Sequence, residues 1–475
     1  MKHLLLLVGL YILPITISAQ SDYIFPEDIK PLIKTRWGQG FPFNLLCPQI
    51  EKDGETLHQL AGCGPVAMAQ VINYHQFPNE SPDMEYIYEW RRMYHQATKV
   101  QSKEELVAVG KLISDCGVTA FTDYGESASS TNIRNMMGAL KRLFGYSKYI
   151  TLYNRNNFQT PARDTLYRQL LFQELKAGRP IIYRAFNSEK KEGHLFIIDG
   201  CKGNKVHVNF GWAGKDDGYY SLDDLNKYST EQIMMTEVAD STYQPAILPV
   251  SLSIAGTLND KISPLQFLKT QHLKVSGPIN DADIAFLRQM SREGVLSSID
   301  LADCHLENLP DTAFANCLNL SYIALPHNTQ RIGQRAFYSC RNLSIVDFNE
   351  GLSIIYPGAF SGCNSLLSVE LPQTARIIYS GAFNSCSSLF HVIIPEGVWF
   401  IDNYAFSYCK CLLSLGLPSS VKKLGRDILK DCPRLKRVII SSDNPYFEAD
   451  GLSFRKKNIT NTRNGIEEPY TDPGR

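Results

Sequence analysis

The stretch AGCGPVAMAQVINYHQFP, Ala61 to Pro78, sets Cys63 between two glycines at the head of an apolar run. Pro65 suits the first turn of a helix, where its missing N–H costs nothing. A thiol at that end of a helix meets unpaired amides and partial positive charge, which favour the thiolate, its nucleophilic form. Gly62 and Gly64 leave room for another backbone to approach. The competing reading makes Cys63 one more small packed hydrophobe. A reactive thiol needs a proton acceptor, and His194, in EGHLFIIDG, follows a glycine and opens an apolar run. From the end of a strand its ring can project across a cleft; hydrogen-bonded inside the sheet, it is structural only. Together the two residues point to acyl transfer through sulfur, with imidazole moving the proton.

Such a pair needs a helix to carry the sulfur and a sheet to carry the ring. Ala67, Val71 and Tyr74 mark a helix face after Cys63, ending near Phe77-Pro78. Helical spacing recurs over 106–116 and 133–144. Farther on, RPIIYRAF, HLFIIDG and KVHVNFGW read as strands, the last two joined by a turn at Lys202-Gly203-Asn204. Residues 20–250 are therefore read as an α+β domain, helices first and an antiparallel sheet after.

The rest of the chain is periodic. Cys317, Cys340, Cys363, Cys386, Cys409 and Cys432 fall at a strict interval of 23. A leucine stands three residues after each, a further aliphatic recurs as in Ile332, Ile355, Ile378 and Ile401, and Ala-Phe pairs recur at 336, 359, 382 and 405. One such unit cannot bury its apolar side alone; stacked units make a continuous core with these ladders inside. Equivalent cysteines on adjacent coils stand parallel, a poor geometry for disulfides, so they are read as buried thiols. We place the repeats at 293–455, a linker and N-terminal cap built around LKVSGPINDADIAFLRQM at 251–292, and a polar tail at 456–475.

At 475 residues the chain is long enough for two or three domains. Lys plus Arg and Asp plus Glu balance at 48 each, which argues against nucleic acid as a partner. The opening MKHLLLLVGLYILPITISAQ has a basic start, an apolar run and small residues before Gln20, so residues 1–19 are read as a signal peptide of an exported protein. No later run is long or apolar enough to span a bilayer. His58, His75 and His207 lack ligand spacing, and Lys215-Asp216-Asp217-Gly218 reads as a solvated turn rather than a calcium loop, so no metal and no cofactor are expected.

Four ordered motifs carry a family resemblance: WGQGFPFNLLCP, AGCGPVAMAQVINYHQFP, GHLFIIDG and HVNFGWAGKDDGYYSLDDL. From about Trp37 to Leu225 they resemble the streptopain-type cysteine peptidases, relatives of the papain fold. The repeats resemble the surface-antigen type of leucine-rich repeat. The implied architecture is an α+β papain-like peptidase domain followed by a leucine-rich repeat solenoid. The resemblance makes Cys63 the nucleophile, His194 its proton acceptor, and Gln39, in WGQG, an oxyanion-hole donor beside the backbone N–H of Cys63. Where the family usually reads Asn-Trp-Gly-Trp, this chain has Asn209-Phe210-Gly211-Trp212. Asn209 and Trp212 are then supporting residues, or sheet packing, and the missing indole at 210 touches how the His194 ring is held.

The function implied is a secreted cysteine endopeptidase acting on protein or peptide substrates, with the repeats docking a protein or glycan. A surface adhesin with an inactive peptidase-like half is the alternative, and Phe210 is the feature that favours it; an acyltransferase using the same pair is a third reading. Trp37 follows Gln20 too closely for a folded prosegment, which suggests a separate inhibitor or an enzyme exported ready to act.

Overall fold

A computed structural model describes residues 23–97 and 101–457; the expected signal peptide, and the tail from 458, lie outside the described residues. The N-terminal half runs as a hairpin, β1 (Gln49–Lys52) and β2 (Glu55–His58), then α1 (Cys63–His75), α2 (Lys103–Thr119) and α3 (Ile133–Arg142). There follow β3 (Thr151–Asn154), α4 (Pro161–Lys176), β4 (Ile181–Asn187), β5 (Glu192–Lys202), β6 (Lys205–Asn209), β7 (Gly218–Ser221) and β8 (Thr230–Thr236). The last six strands form one antiparallel sheet in the order β3-β8-β4-β5-β6-β7. Gly203 takes φ 59° in the β5–β6 turn, a conformation glycine adopts freely. Helix α1 is buried from Gly64 through Ile72 and packs on both α2 and β5. A helix apolar all round belongs in a core, and this one carries Cys63 at its head.

The second half begins with β9 (Ile247–Ser251), α5 (Leu258–Lys261), α6 (Pro264–Lys269), β10 (His272–Pro278), α7 (Asp281–Glu293) and β11 (Ser298–Asp300). β9 pairs in parallel with β10 and β10 with β11, so residues 247–250, grouped by sequence with the first half, lie in the sheet of the second. Asn280 and Asp283 close a capping box on α7, whose Ile284, Leu287 and Met290 cover the end of the repeat core.

The repeats then stack in register. Arg331 pairs with Ile354, Ile354 with Ile377 and Ile377 with Phe400, each a parallel bridge one unit along. Inside, the rings of Phe314, Phe337, Phe360, Phe383 and Phe406 stack at 5.0–5.5 Å between centroids. The ladder thiols are free and do more than fill space. Cys340, Cys363, Cys386 and Cys409 each donate to the carbonyl of the phenylalanine 26 residues earlier, at 2.9–3.4 Å.

One face of this array is occupied by the N-terminal half. Asn342 Nδ2 donates to the Leu152 carbonyl at 2.5 Å, Ser388 Oγ to Asn135 Oδ1 at 3.0 Å, and Arg142 lies over the Phe390 ring at 4.9 Å. His272 and Glu237, both buried, pair across the halves at 2.7 Å. Gly138 of α3 leaves no side-chain space: a Cβ there would stand 2.4 Å from Leu367 Cδ2. The center of the seam is Lys141, buried, donating to Ser344 Oγ at 2.7 Å and Ser321 Oγ at 3.0 Å.

Burial, opposed only by the more distant Glu237 charge, pulls the Lys141 ammonium down to about 7. The charged form is thus disfavoured in the folded protein, and the penalty is fully present below pH 7 and relieved as pH rises toward 10.5. Both serine hydroxyls have carbonyl acceptors of their own, Ile150 and Ser321, so removing the lysine strands no donor. Lys141→Met is expected to raise stability at pH 6 by about 1–3 kcal/mol, with the gain shrinking above pH 8, as read by denaturant unfolding at both pH values. A loss of stability at pH 6 would show that the ammonium holds the seam together.

Candidate active site

Cys63 is the first residue of α1, preceded by Gly62 at φ 88°, a backbone state that side chains resist. A Cβ on Gly62 would meet Ser129 Cβ at 3.1 Å, and one on Gly64 would meet Thr131 Cβ at 2.8 Å. The room that the glycines were expected to leave for a substrate backbone is therefore filled by the chain's own 129–131 segment. That segment forms a wall beside the sulfur.

His194 is the third residue of β5 and is buried. Its Nε2 lies 2.8 Å from the Phe210 carbonyl oxygen. A carbonyl only accepts, so Nε2 carries the hydrogen and Nδ1 is the accepting nitrogen of the neutral ring. Trp212 covers the imidazole at 4.7 Å between centroids and Tyr228 at 5.5 Å. Phe210 is wholly buried and stacks on Trp212 at 4.9 Å. The departure at 210 is thus absorbed: the main chain of that residue orients the histidine, and Trp212 shields it.

The sulfur comes to β5 beside the histidine's neighbour: the backbone N–H of Leu195, the residue after His194, acts on the Cys63 thiol. Burial works against charge on both groups. It pushes the Cys63 thiol up, opposed by the N–H groups of Leu195, Gly64 and Cys63 itself and by the Arg184 charge. It pulls the His194 imidazole down to about 4, opposed by the Phe210 carbonyl and Glu192. The helix terminus was expected to favour thiolate; desolvation acts in the opposite direction and is the largest influence on the thiol.

Gln39 is tied in by its main chain. Its carbonyl accepts the Ala61 N–H at 2.8 Å, two residues before Cys63. The nearby Trp37 is fully buried, donates its indole N–H to the Tyr94 carbonyl at 2.8 Å, and accepts from Ala213 N–H at 3.1 Å. The WGQG stretch therefore bridges the entry to α1 and the loop after β6. Asn209 makes no bond to His194. Its Nδ2 donates to the Thr35 carbonyl at 2.9 Å, and its Oδ1 accepts the Gly211 N–H at 3.0 Å.

Two residues that the motifs do not single out organise this arrangement. Gln70, buried on α1, accepts the Thr35 hydroxyl at 2.8 Å and the Trp37 N–H at 3.3 Å, and pairs amide to amide with Asn209 at 3.2 and 3.3 Å. Seven residues after Cys63 is two helical turns, so the glutamine shares the side of α1 that carries Cys63, which is the available signal. Asp217, assigned to a solvated turn, accepts the Phe210 N–H at 2.9 Å and so fixes the peptide just before the one whose carbonyl holds His194, which Asn209 fixes through the Gly211 N–H. His207 does not join the site: its Nδ1 lies 2.7 Å from Asp199 Oδ1. Among the described residues no group of three or more His, Cys, Asp or Glu side chains is placed to hold a metal ion.

The geometry is that of a thiol at the head of a core helix and an imidazole on an antiparallel sheet. Residues 37–220 match the Peptidase C10 family, and residues 304–449 match the BspA type leucine rich repeat region in six copies. The chain therefore carries a Peptidase C10 domain followed by BspA-type repeats. Streptopain of Streptococcus pyogenes is 31% identical over 244 residues, covering 43% of this chain and 60% of the relative, so the chain spans about three fifths of that protein's length. The structure of active interpain A cysteine protease from Prevotella intermedia is 29% identical and covers 45% of this chain and 96% of its own, with a TM-score of 0.41. A leucine-rich repeat protein of T. pallidum is 32% identical over 29% of this chain and 64% of its own, with a TM-score of 0.28.

Gln70→Ala removes the shared acceptor of the Thr35 hydroxyl and the Trp37 N–H and the partner of the Asn209 amide, all in the interior. We expect it to cost about 2–4 kcal/mol in denaturant unfolding, and Gln70→Met, which keeps the volume but none of the hydrogen bonds, to cost nearly as much. A methionine variant close to the wild type would assign the effect to packing rather than to the hydrogen bonds.

Proposed function

We propose that the chain is an exported cysteine endopeptidase in which Cys63 is the nucleophile, His194 the general base and acid, and Gln39 a donor to the oxyanion. The single observation that carries the reading is the fixed tautomer of His194. With its Nε2–H held on the Phe210 carbonyl, the ring offers only Nδ1 to a sulfur that already contacts the neighbouring Leu195 N–H.

From that starting state the chemistry is general-base-assisted. Nδ1 takes the thiol proton as sulfur attacks the peptide carbonyl carbon, which spares the site a naked buried thiolate. Negative charge collects on the carbonyl oxygen, where the Cys63 backbone N–H and the Gln39 side-chain amide act as donors. The imidazolium, its charge stabilised by the Phe210 carbonyl, gives its proton to the leaving amine. Water, deprotonated at Nδ1, then attacks the acyl-enzyme and frees the sulfur. The leader at 1–19 belongs to the proposal as the export signal. Restraint by a separate inhibitor and docking of a protein or glycan on the faces of the array left free by the peptidase half belong to it as well. Among the described residues no helix is long and apolar enough to cross a membrane.

Casein digestion by the wild type, absent in Cys63→Ser, is the direct test; digestion that persists in the serine variant places the activity elsewhere. Gln39→Ala is expected to lower kcat by about 10²–10³-fold with little change in unfolding midpoint. Because burial holds His194 neutral down to about pH 4, the acid limb of kcat/KM is expected near that value rather than near 6.5, activity being lost as pH falls through it. An acid limb at 6.5 would show an imidazole open to water.

A further inference from the structure

A cavity of about 380 Å³ opens beside the nucleophile, and its lining includes Thr131, Ile133, Arg134, Arg184 and Ile233. Its lining residues lie against the chain neighbours of both Cys63 and His194. Thr131 is the residue that a Cβ on Gly64 would strike, and Arg184 passes over Gly193, where a Cβ would stand 3.5 Å from its Nη2. Gly64 follows Cys63 in sequence and Gly193 precedes His194. A polypeptide crossing the sulfur therefore passes the mouth of this cavity.

The charge inside it is unbalanced. Arg184 has a counter-ion, Glu231, at 3.0 Å on the rim. Arg134 forms no salt bridge among the described residues, and its Nε is buried without a hydrogen-bond partner. The neighbouring charges that act on it are cationic, Arg341, from the repeat array, and Arg184. Two guanidinium groups, one of them without a carboxylate partner, thus line a space with two isoleucines for walls, and Arg341 adds positive charge from the array. The larger cavity of this half, about 870 Å³, has no such surplus: Arg155 there pairs with Asp164 and Asp223, and Arg168 pairs with the same two carboxylates. The half-buried Arg134 guanidinium leaves its Nε–H unsatisfied, and a carboxylate delivered by a ligand offsets that cost with charge-assisted hydrogen bonds.

We propose that this cavity is a substrate subsite for an acidic side chain, glutamate or aspartate, of the polypeptide being cleaved, with Arg134 as its counter-ion and the repeat array contributing Arg341 to the field. The inference rests on Cys63 and His194 acting as the peptidase pair. It also gives the array a second role, because by lying against α3 it sets the charge of the cleft.

The test uses the full-length protein and fluorogenic peptides in which Glu and Gln are exchanged at each of three positions on either side of the cleaved bond. At one position the wild type should cleave the Glu peptide at least 10-fold faster in kcat/KM than its Gln isostere, with the ratio falling as salt rises. Arg134→Gln should bring the ratio at that position to about 1, and Arg134→Glu should invert the preference toward a Lys peptide. Arg341→Gln, a change at an exposed position that leaves the interior packing alone, should lower the ratio by about 2–3-fold. A wild type that digests casein but shows no Glu preference at any position overturns the subsite and leaves the peptidase reading standing. A ratio unmoved in both Arg134 variants and in Arg341→Gln likewise overturns the subsite alone. A wild type that cleaves neither casein nor any peptide overturns both.

Discussion

The hydrogen bond from His194 Nε2 to the Phe210 carbonyl is the constraint on which the rest of the site depends. It sets the tautomer, leaves Nδ1 as the accepting atom, and gives any imidazolium a fixed dipole to rest against. A carbonyl can do this only if its peptide plane is held still. Asn209 holds that plane through the Gly211 N–H, and Asp217 holds the preceding peptide through the Phe210 N–H. Behind Asn209 stands Gln70, which links the sheet, the approach to WGQG and the helix that carries the sulfur. A short chain of buried amides thus connects three segments that are distant in sequence.

Burial explains the character of the site. Aromatic rings close over His194, and the 129–131 segment closes over the glycines beside Cys63. The cost is that neither group holds a charge easily, and in the proposed reaction proton transfer accompanies attack. The Arg184 charge acts the other way at the sulfur, favouring the thiolate.

The repeat array is more than an appendage. Its stacked phenylalanines and thiol-to-carbonyl bonds make a stiff rod, and α3 and β3 lie along one face of it. Lys141, buried between two serine hydroxyls, marks how closely the two halves are fitted. A docking surface for other molecules is confined to what that contact leaves open.

Period and motif were enough to give the solenoid, because a 23-residue interval imposes one stacked structure whatever surrounds it. They were enough as well for the α+β half, since apolar spacing over 63–77 and 181–209 fits few other arrangements. Gln70 read as one polar residue in an apolar helix, and Asp217 as part of a solvated turn, because hydrogen bonds between residues 139 or 7 positions apart leave no trace in periodicity. Phe210 read as a departure because its side chain differs, while its role runs through a carbonyl that every residue possesses. The direction of the Cys63 shift, the filling of the space beside its glycines and the contact between array and peptidase were decided only in three dimensions. Desolvation and packing are sums over neighbours, and the neighbours come from segments that the linear order keeps apart.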